Sequence, residues 1–213
     1  MLKLIHRLIL LLIILLVINS TTQAQHKLSI SGTGNINYIP MKEFSNYVST
    51  LSNSSVDKIS FGGNIKFNYY LTDSHQLYLN AEYISTNASF SGGFASIKWI
   101  FQTIPISFGY EYSVNINSET WKFLLGGGIL YSFFENTEKY SGDTGNDESI
   151  FKDSSFGFEV QMGVLRKVVE NISIIMEIKY RYIEDYNLNS FNNFNEVNLS
   201  GIGLNVGVRL ELI

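Results

Sequence analysis

One short stretch near the end of the chain fixes the class of fold. Ile202, Leu204, Val206, Val208, Leu210 and Leu212 alternate with Gly203, Asn205, Gly207, Arg209 and Glu211. An extended strand turns that period of two into one apolar and one polar face, whereas a helix would scramble it. The same period runs through Ile59, Phe61, Gly63, Ile65, Phe67, Tyr69 and Leu71, opposite Ser60, Gly62, Asn64, Lys66, Asn68 and Tyr70. It returns in Ile172, Ile174, Met176, Ile178, Tyr180 and Tyr182, opposite Ser173, Ile175, Glu177, Lys179 and Arg181. Less regular alternation covers residues 28–38, 77–83, 100–112, 121–133 and 156–164. Helical periodicity is absent, so the chain reads as all-β with eight strands.

The connections alternate in length. Residues 40–56, 135–154 and 184–198 form long connections and 87–96 an intermediate one, while 73–75, 114–119 and 168–170 are tight turns. In an antiparallel up-and-down meander every second connection lies at the same rim. One end of an eight-stranded barrel therefore carries the long loops and the other the tight turns, the asymmetry of a transmembrane β-barrel. Both chain ends then fall at the tight-turn rim.

The N-terminus carries a targeting signal. Lys3, His6 and Arg7 precede an apolar run over residues 8–18, which gives way to a polar stretch ending Thr22-Gln23-Ala24. That run is too short for a spanning helix and suits a cleaved secretory signal peptide, so the expected division is 1–24 signal and 25–213 barrel. No cysteine is present, which removes disulfide frameworks, thiol catalysis and cysteine-rich metal sites. Charged residues make up 16% of the chain against about 25% in an ordinary soluble domain, and the formal charge of -4 argues against nucleic acid as a partner.

Residue types decide which face meets lipid. The polar faces are crowded with small groups, Ser29, Ser31, Thr33, Asn35 and Asn37 on the first strand, which suits a narrow interior better than a solvated exterior. The apolar faces end in Tyr38, Tyr69, Tyr83, Tyr110, Tyr112, Trp121, Tyr131, Phe133, Tyr180 and Tyr182, the expected interfacial aromatics. By parity the strand charges fall on the polar face: Lys66, Lys122, Lys179, Arg181 and Arg209 against Glu82, Glu111, Glu159, Glu177 and Glu211. Equal numbers of each sign fit a cross-braced network that plugs the lumen, and they also fit a wet polar lumen with unspecific pairing.

These features together, with the strands Ile104-Pro105-Ile106-Ser107-Phe108-Gly109-Tyr110 and Leu124-Leu125-Gly126-Gly127-Gly128-Ile129, resemble the small outer-membrane β-barrel proteins of Gram-negative bacteria, the OmpA/OmpX-like and "porin family" barrel domains. The resemblance covers the whole chain after the signal. It implies residence in the bacterial outer membrane, with both termini periplasmic and the long loops extracellular. It also implies a lipid bilayer as surroundings, and the barrel-assembly machinery and periplasmic chaperones as partners during biogenesis, for a monomer with no periplasmic domain. Pro105 departs from a regular strand because it cannot donate a ladder hydrogen bond, so a bulge or local irregularity is expected there. Such barrels usually end on an aromatic residue, whereas here the apolar stripe ends at Leu212 and Ile213 follows out of phase.

Catalysis in related barrels needs a histidine near the outer rim. His26 precedes the first strand and His75 sits in a tight turn, so no enzyme, catalytic residue, cofactor or metal is expected. Asp143-Thr144-Gly145 lacks the apolar strand that buries an aspartic protease carboxylate. The cluster Asp143, Asn146, Asp147 and Glu148 fits no calcium loop and reads as a solvated acidic tip. Gly201, Gly203 and Gly207 make room on a strand and do not form a nucleotide loop. Phe44, Tyr47, Tyr140, Phe151, Phe191 and Phe194 lie in long connections, either packed over the barrel mouth or forming a contact surface. The expected function is structural or interactive, in envelope integrity, adhesion or ligand contact through the long loops. The alternatives are a narrow passive pore for small solutes and a lipid-modifying barrel enzyme.

Overall fold

In a computed structural model the described residues are 28–51, 53–92, 95–116, 120–143, 145–187 and 196–212. The signal segment, His26, Thr144, Phe191, Phe194 and Ile213 lie outside them. The elements run β1 (Leu28–Tyr38), α1 (Lys42–Ser49), β2 (Ser54–Val56), β3 (Ile59–Tyr70), β4 (His75–Gly92), β5 (Ala95–Asn115), β6 (Trp121–Gly142), β7 (Gly145–Val169), β8 (Ile172–Ile183), β9 (Tyr186–Asn187), β10 (Glu196–Val197) and β11 (Gly201–Leu212).

Eight of these strands close into a ring in the order β1, β3, β4, β5, β6, β7, β8, β11, with β11 returning antiparallel to β1 from Leu28↔Leu212 to Tyr38↔Ile202. The register sets the barrel's shape. Stepping across paired residues from Leu28 leads through Tyr69, Leu77, Tyr110, Gly127, Val160, Tyr180 and Ile202 back to β1 at Tyr38, ten residues further along. That stagger over eight strands tilts them by about 40° and gives a backbone radius of about 8 Å, an interior that side chains alone can fill.

Burial follows the alternation. On β8 the residues from Ile172 to Ile183 alternate exposed and buried without a break, and on β11 Ile202, Leu204, Val206 and Val208 point outward while Asn205 and Arg209 are buried. The barrel is therefore inside-out relative to a soluble one: its outer surface is apolar and its deepest side chains include Lys66, Lys179 and Arg209.

Two expectations need correction and a third is met in one of its two forms. The connections 87–96 and 135–154 are strand and not loop: β4 and β5 meet at Gly92↔Ala95 and β6 and β7 at Gly142↔Gly145, so a sheet rises well beyond the lipid-facing band. Above the lipid both faces meet water or other polypeptide, and the two-residue alternation that marks a strand fades. The first long connection holds a helix, α1, whose Phe44 and Val48, four residues apart, turn one face inward. Met41 enters it with φ 41°, a left-handed conformation held by near-complete burial. At Pro105 the expected departure takes the form of a local irregularity and not of a bulge. The β5–β6 ladder passes through Pro105↔Ser132 unbroken, while the β4–β5 ladder omits two pairs between Ala81↔Ile106 and Ile84↔Thr103 and resumes in the same register.

Candidate functional site

The interior is filled at two levels. The lower level, toward the tight turns, is ionic. Lys66 Nζ lies 3.2 Å from Glu111 Oε2 and also pairs with Glu177, and Arg209 Nη2 reaches Glu111 Oε1 at 3.0 Å. Gln161 donates to Glu111 at 2.8 Å and Gln76 donates to its other oxygen. One step higher, Lys179 Nζ sits 3.5 Å from Glu82 and 3.4 Å from Glu159, and Arg181 pairs with Glu82. Asn35 donates to Glu82 at 2.8 Å and Ser107 to Glu159 at 2.8 Å. Tyr78 ties the tiers together: its hydroxyl donates to Glu159 at 2.9 Å, and the Lys66 ammonium stands 5.4 Å from the centre of its ring. All eight ionised groups are almost fully buried and their charges cancel, the condition under which buried charge is tolerated.

Of the ten charges placed inside by parity, the structure brings these eight together. Lys122 and Glu211 stand apart. Lys122 is the second residue of β6, half-buried opposite Asn115 and Leu165, and pairs with no described carboxylate; Glu211 is half-buried at the end of β11, opposite Ser29. Parity assigns a face and not a depth, and both residues lie at the tight-turn rim, where water can solvate them. Of the neutral members, Asn35 is on the polar face read from the sequence, whereas Gln76, Tyr78, Gln161 and Ser107 escape that reading because they carry no charge. Their inward parity was the available signal.

Glycine makes the room. Gly109 and Gly128 face each other across β5 and β6, and a Cβ on Gly109 would lie 2.5 Å from the Tyr78 ring carbon that bears the hydroxyl. On β11 a Cβ at Gly203 would meet Asn37 Oδ1 at 2.3 Å, and one at Gly207 would meet the Gly32 carbonyl at 2.0 Å. Gly201 likewise backs onto the Tyr38 carbonyl.

The upper level, toward the long connections, is apolar. Phe44 of α1 packs edge-on against Trp99 and Phe101, with centroids 5.6 and 5.0 Å apart, and Phe134 stacks on Tyr186 at 4.5 Å. Ile39, Val48, Ile183, Val197 and Leu199 complete this buried cluster, and Tyr47 packs against it. Tyr140 and Phe151 instead lie half-buried on β6 and β7.

Outside, the ten interfacial aromatics all project from the outward rows. The register sorts them into a lower belt of Tyr69, Tyr110, Tyr112 and Trp121 and an upper belt of Tyr38, Tyr83, Tyr131, Phe133, Tyr180 and Tyr182, about 20 Å apart along the axis. Tyr69 and Tyr131 are half-buried and the others exposed. Between the belts the surface is apolar and mostly aliphatic, with Leu79, Ile129, Val160, Met176, Ile178 and Val206 exposed beside Phe67 and Phe108.

His75 begins β4 at the tight-turn rim, where its Nδ1 hydrogen-bonds the Tyr110 hydroxyl and its ring packs against Tyr110 and Tyr112. Among the described residues no group of three or more His, Asp or Glu is placed to hold a metal. Asp143, Asn146, Asp147 and Glu148 sit at the tip of the β6–β7 hairpin, where Glu148 pairs with Lys139 at 3.3 Å and Asn146 accepts from Ser141 at 2.7 Å.

Above the upper belt, β4 to β7 continue as a sheet. Its β4 edge is covered at Ala88–Phe90 by β2. Its β7 edge is not matched in this way: β8 stops at Ile183, opposite Gly157, and the last bond on that side is Glu184 N–H to the Phe156 carbonyl at 2.9 Å. Above it, residues 145–154 pair with β6 alone among the described residues.

No curated protein matches the chain. The solved structure of OprG from Pseudomonas aeruginosa superposes with a TM-score of 0.59 at 14% identity over 89% of this chain and 97% of that one. Ail of Yersinia pestis, the attachment invasion locus protein, gives 0.49 at 15% identity over 88% and 100%. At 14% identity the likeness to OprG speaks for the fold alone, an outer-membrane barrel. The family model for the outer membrane protein beta-barrel domain matches residues 8–209, and with the inside-out barrel and its two aromatic belts it shows that the chain belongs to the outer membrane protein beta-barrel domain family.

Proposed function

We propose that this chain is a sealed outer-membrane barrel whose working part is the sheet raised above its outer rim. In this reading the barrel is an anchor, the tight turns and both termini face the periplasm, and the raised β4–β7 sheet faces outward for adhesion or ligand contact. The observation that carries it is the contrast between the two ends of β7. Its lower half lines a lumen filled by ion pairs below and by the α1 cluster above, whereas its upper half pairs on one side alone among the described residues, with an edge we read as open to another chain. A sheet edge presents unpaired N–H and C=O groups, and proteins use such edges to capture extended polypeptide by strand addition.

The edge has a direction. Because Phe156 bonds toward β8, the alternate residues Ser154, Lys152 and Ile150 turn their backbone groups to the open side. Acidic side chains surround it: Glu138, Asp143 and Asp147 lie on the β6–β7 hairpin, while Lys139 and Lys152 are engaged by Glu148 and Glu135. A cationic extended segment is the complementary partner. The barrel acts as a monomer without cofactor or catalysis, inserted by the assembly machinery that serves this family.

Planar-bilayer recording of the purified barrel tests the reading. Silence is the expected result, and a stable unitary conductance that persists through repeated recordings would show an open lumen and favour a passive pore. Lipid A taken from cells expressing the chain should be unchanged in mass; a new acylation state would instead make it an enzyme.

A further inference from the structure

We infer that the tight-turn rim at the β6–β7–β8 corner is a headgroup site for an anionic glycerophospholipid. Among the described residues Arg166 is the one arginine or lysine on the outward rows between the aromatic belts and the tight turns. It follows Met162 and Val164 on the lipid-facing side of β7. Its guanidinium carbon stands 5.2 Å from the centre of the Trp121 ring, with which it is paired across the β6–β7 ladder. Stacking occupies the face of the guanidinium and leaves its N–H edge free for a planar or tetrahedral oxyanion.

One more cation flanks it. Lys167 occupies an inward position by strand parity yet is exposed, because the β7–β8 register slips between Lys167 and Val169. Such a bulge re-aims a side chain at the end of a strand. The Lys167 amide donates to the Thr120 carbonyl at 2.8 Å, which pins this corner to the start of β6. Neither cation pairs with a described carboxylate; the opposing charges nearby are Glu170 in the adjoining turn, Glu211, whose N–H bonds the Asn171 carbonyl at 2.9 Å, and along the chain Glu119, outside the described residues.

The turn tip is also greasy. Val168 and Val169 are 56% and 54% exposed, so the two cations border an apolar ledge below the lower aromatic belt. That is the profile of a site at the boundary between acyl chains and phosphates, where each lysine or arginine strengthens attraction to an anionic lipid about fivefold. The acidic raised sheet offers no counterpart. The orientation proposed above puts this corner in the periplasmic leaflet, but headgroup selectivity itself is independent of orientation.

Trp121 is the reporter. The chain has two tryptophans, and Trp99 is buried in the mouth. Trp99→Phe leaves Trp121 alone at the rim, and if that variant folds poorly the wild-type protein serves, with Trp99 as a shielded background. The barrel is reconstituted in phosphatidylcholine vesicles containing equal fractions of either brominated phosphatidylglycerol or brominated phosphatidylcholine. The expected result is quenching that corresponds to at least a fivefold preference for phosphatidylglycerol, falling to about onefold in Arg166→Gln/Lys167→Gln. Taking a ratio between two quenchers cancels the direct effect of Arg166 on Trp121 emission. Equal quenching in the wild-type protein, or an undiminished preference in the double variant, overturns the site. Because the vesicles carry the same lipids in both leaflets, an inverted barrel would not produce that failure. Protease access to the raised sheet in intact cells tests the orientation separately.

Discussion

Arg209 and Glu111, on strands at opposite sides of the ring, meet in the lumen at 3.0 Å with almost no exposure on either side chain. The pair spans the barrel, so it joins two walls that backbone hydrogen bonds connect only by going around. Glu111 is also the acceptor for Lys66, Gln161 and Gln76, which makes it the junction of the lower tier.

Removing one partner is therefore expected to cost more than removing both. Arg209→Met leaves Glu111 buried with less compensation, and the loss is about 3–5 kcal/mol. Arg209→Met with Glu111→Gln recovers part of it. Denaturant unfolding in lipid vesicles, followed by gel mobility with and without heating, checks the order. A double variant less stable than the single one would show that Glu111 is held adequately by Lys66 alone.

Glycines on the two faces should behave oppositely. A Cβ at Gly32, on the lipid side, meets nothing within 4 Å, whereas one at Gly109 lies 2.4 Å from the Gly127 carbonyl. Gly32→Ala is expected to be neutral or stabilising by about 0.5 kcal/mol, through lower freedom of the unfolded chain. Gly109→Ala is expected to cost about 1–3 kcal/mol through overpacking. The same unfolding assay separates them.

The alternation of Ile202 to Leu212 was enough to place Arg209 inside, and the terminal strand is found with its expected faces. Depth was not legible. Lys122 has the same parity as the inward row of β6, and only the stagger of the ring shows that it lies at the rim. Residues 135–154 were opaque for another reason: Glu135, Glu138, Lys139, Lys152 and Asp153 are on strands that face no lipid, so nothing selects an apolar residue at every second position. The helix α1 is eight residues long and carries its pattern in Phe44 and Val48 alone, too few to register as a period. Tyr78 was hidden by its class, an aromatic side chain on the polar face that only the glycine floor beneath it explains.

Depth also governs the outer face. Val206 lies near the middle of the aliphatic band and Leu212 at its lower end, both outward and exposed. An arginine at position 206 should cost about 2–4 kcal/mol in a bilayer, and one at position 212 no more than about 1 kcal/mol. Equal costs would mean that the band is misplaced along the axis.

On β7 the open edge predicts a proline asymmetry. Ile150 turns its N–H away from β6 and Phe151 turns its N–H toward it. Ile150→Pro removes a donor from the free edge and should leave the hairpin intact, whereas Phe151→Pro breaks a ladder bond. Hydrogen exchange at the tip reads the difference. A cationic strand-forming peptide should bind the wild-type protein and lose at least tenfold in affinity to Ile150→Pro. Undiminished binding would place the contact on a face of the sheet and not on its edge.

The two internal levels act in series, so neither alone controls passage. Deleting α1 uncovers Trp99 and Phe101 but leaves the Lys66, Glu111, Glu177 and Arg209 tier spanning the lumen, and such a variant should remain silent in a planar bilayer. Replacing all eight buried charges, these four together with Glu82, Glu159, Lys179 and Arg181, with serine removes the ionic level but leaves the apolar mouth, through which hydrated ions pass poorly because the cluster gives them no polar partner. That variant too should stay silent, provided it folds. Only the combination should conduct. Heat-modifiable gel mobility must first show each variant to be a folded barrel, and conductance from the α1 deletion alone would reveal the ionic tier as permeable and leave the helix as the single seal.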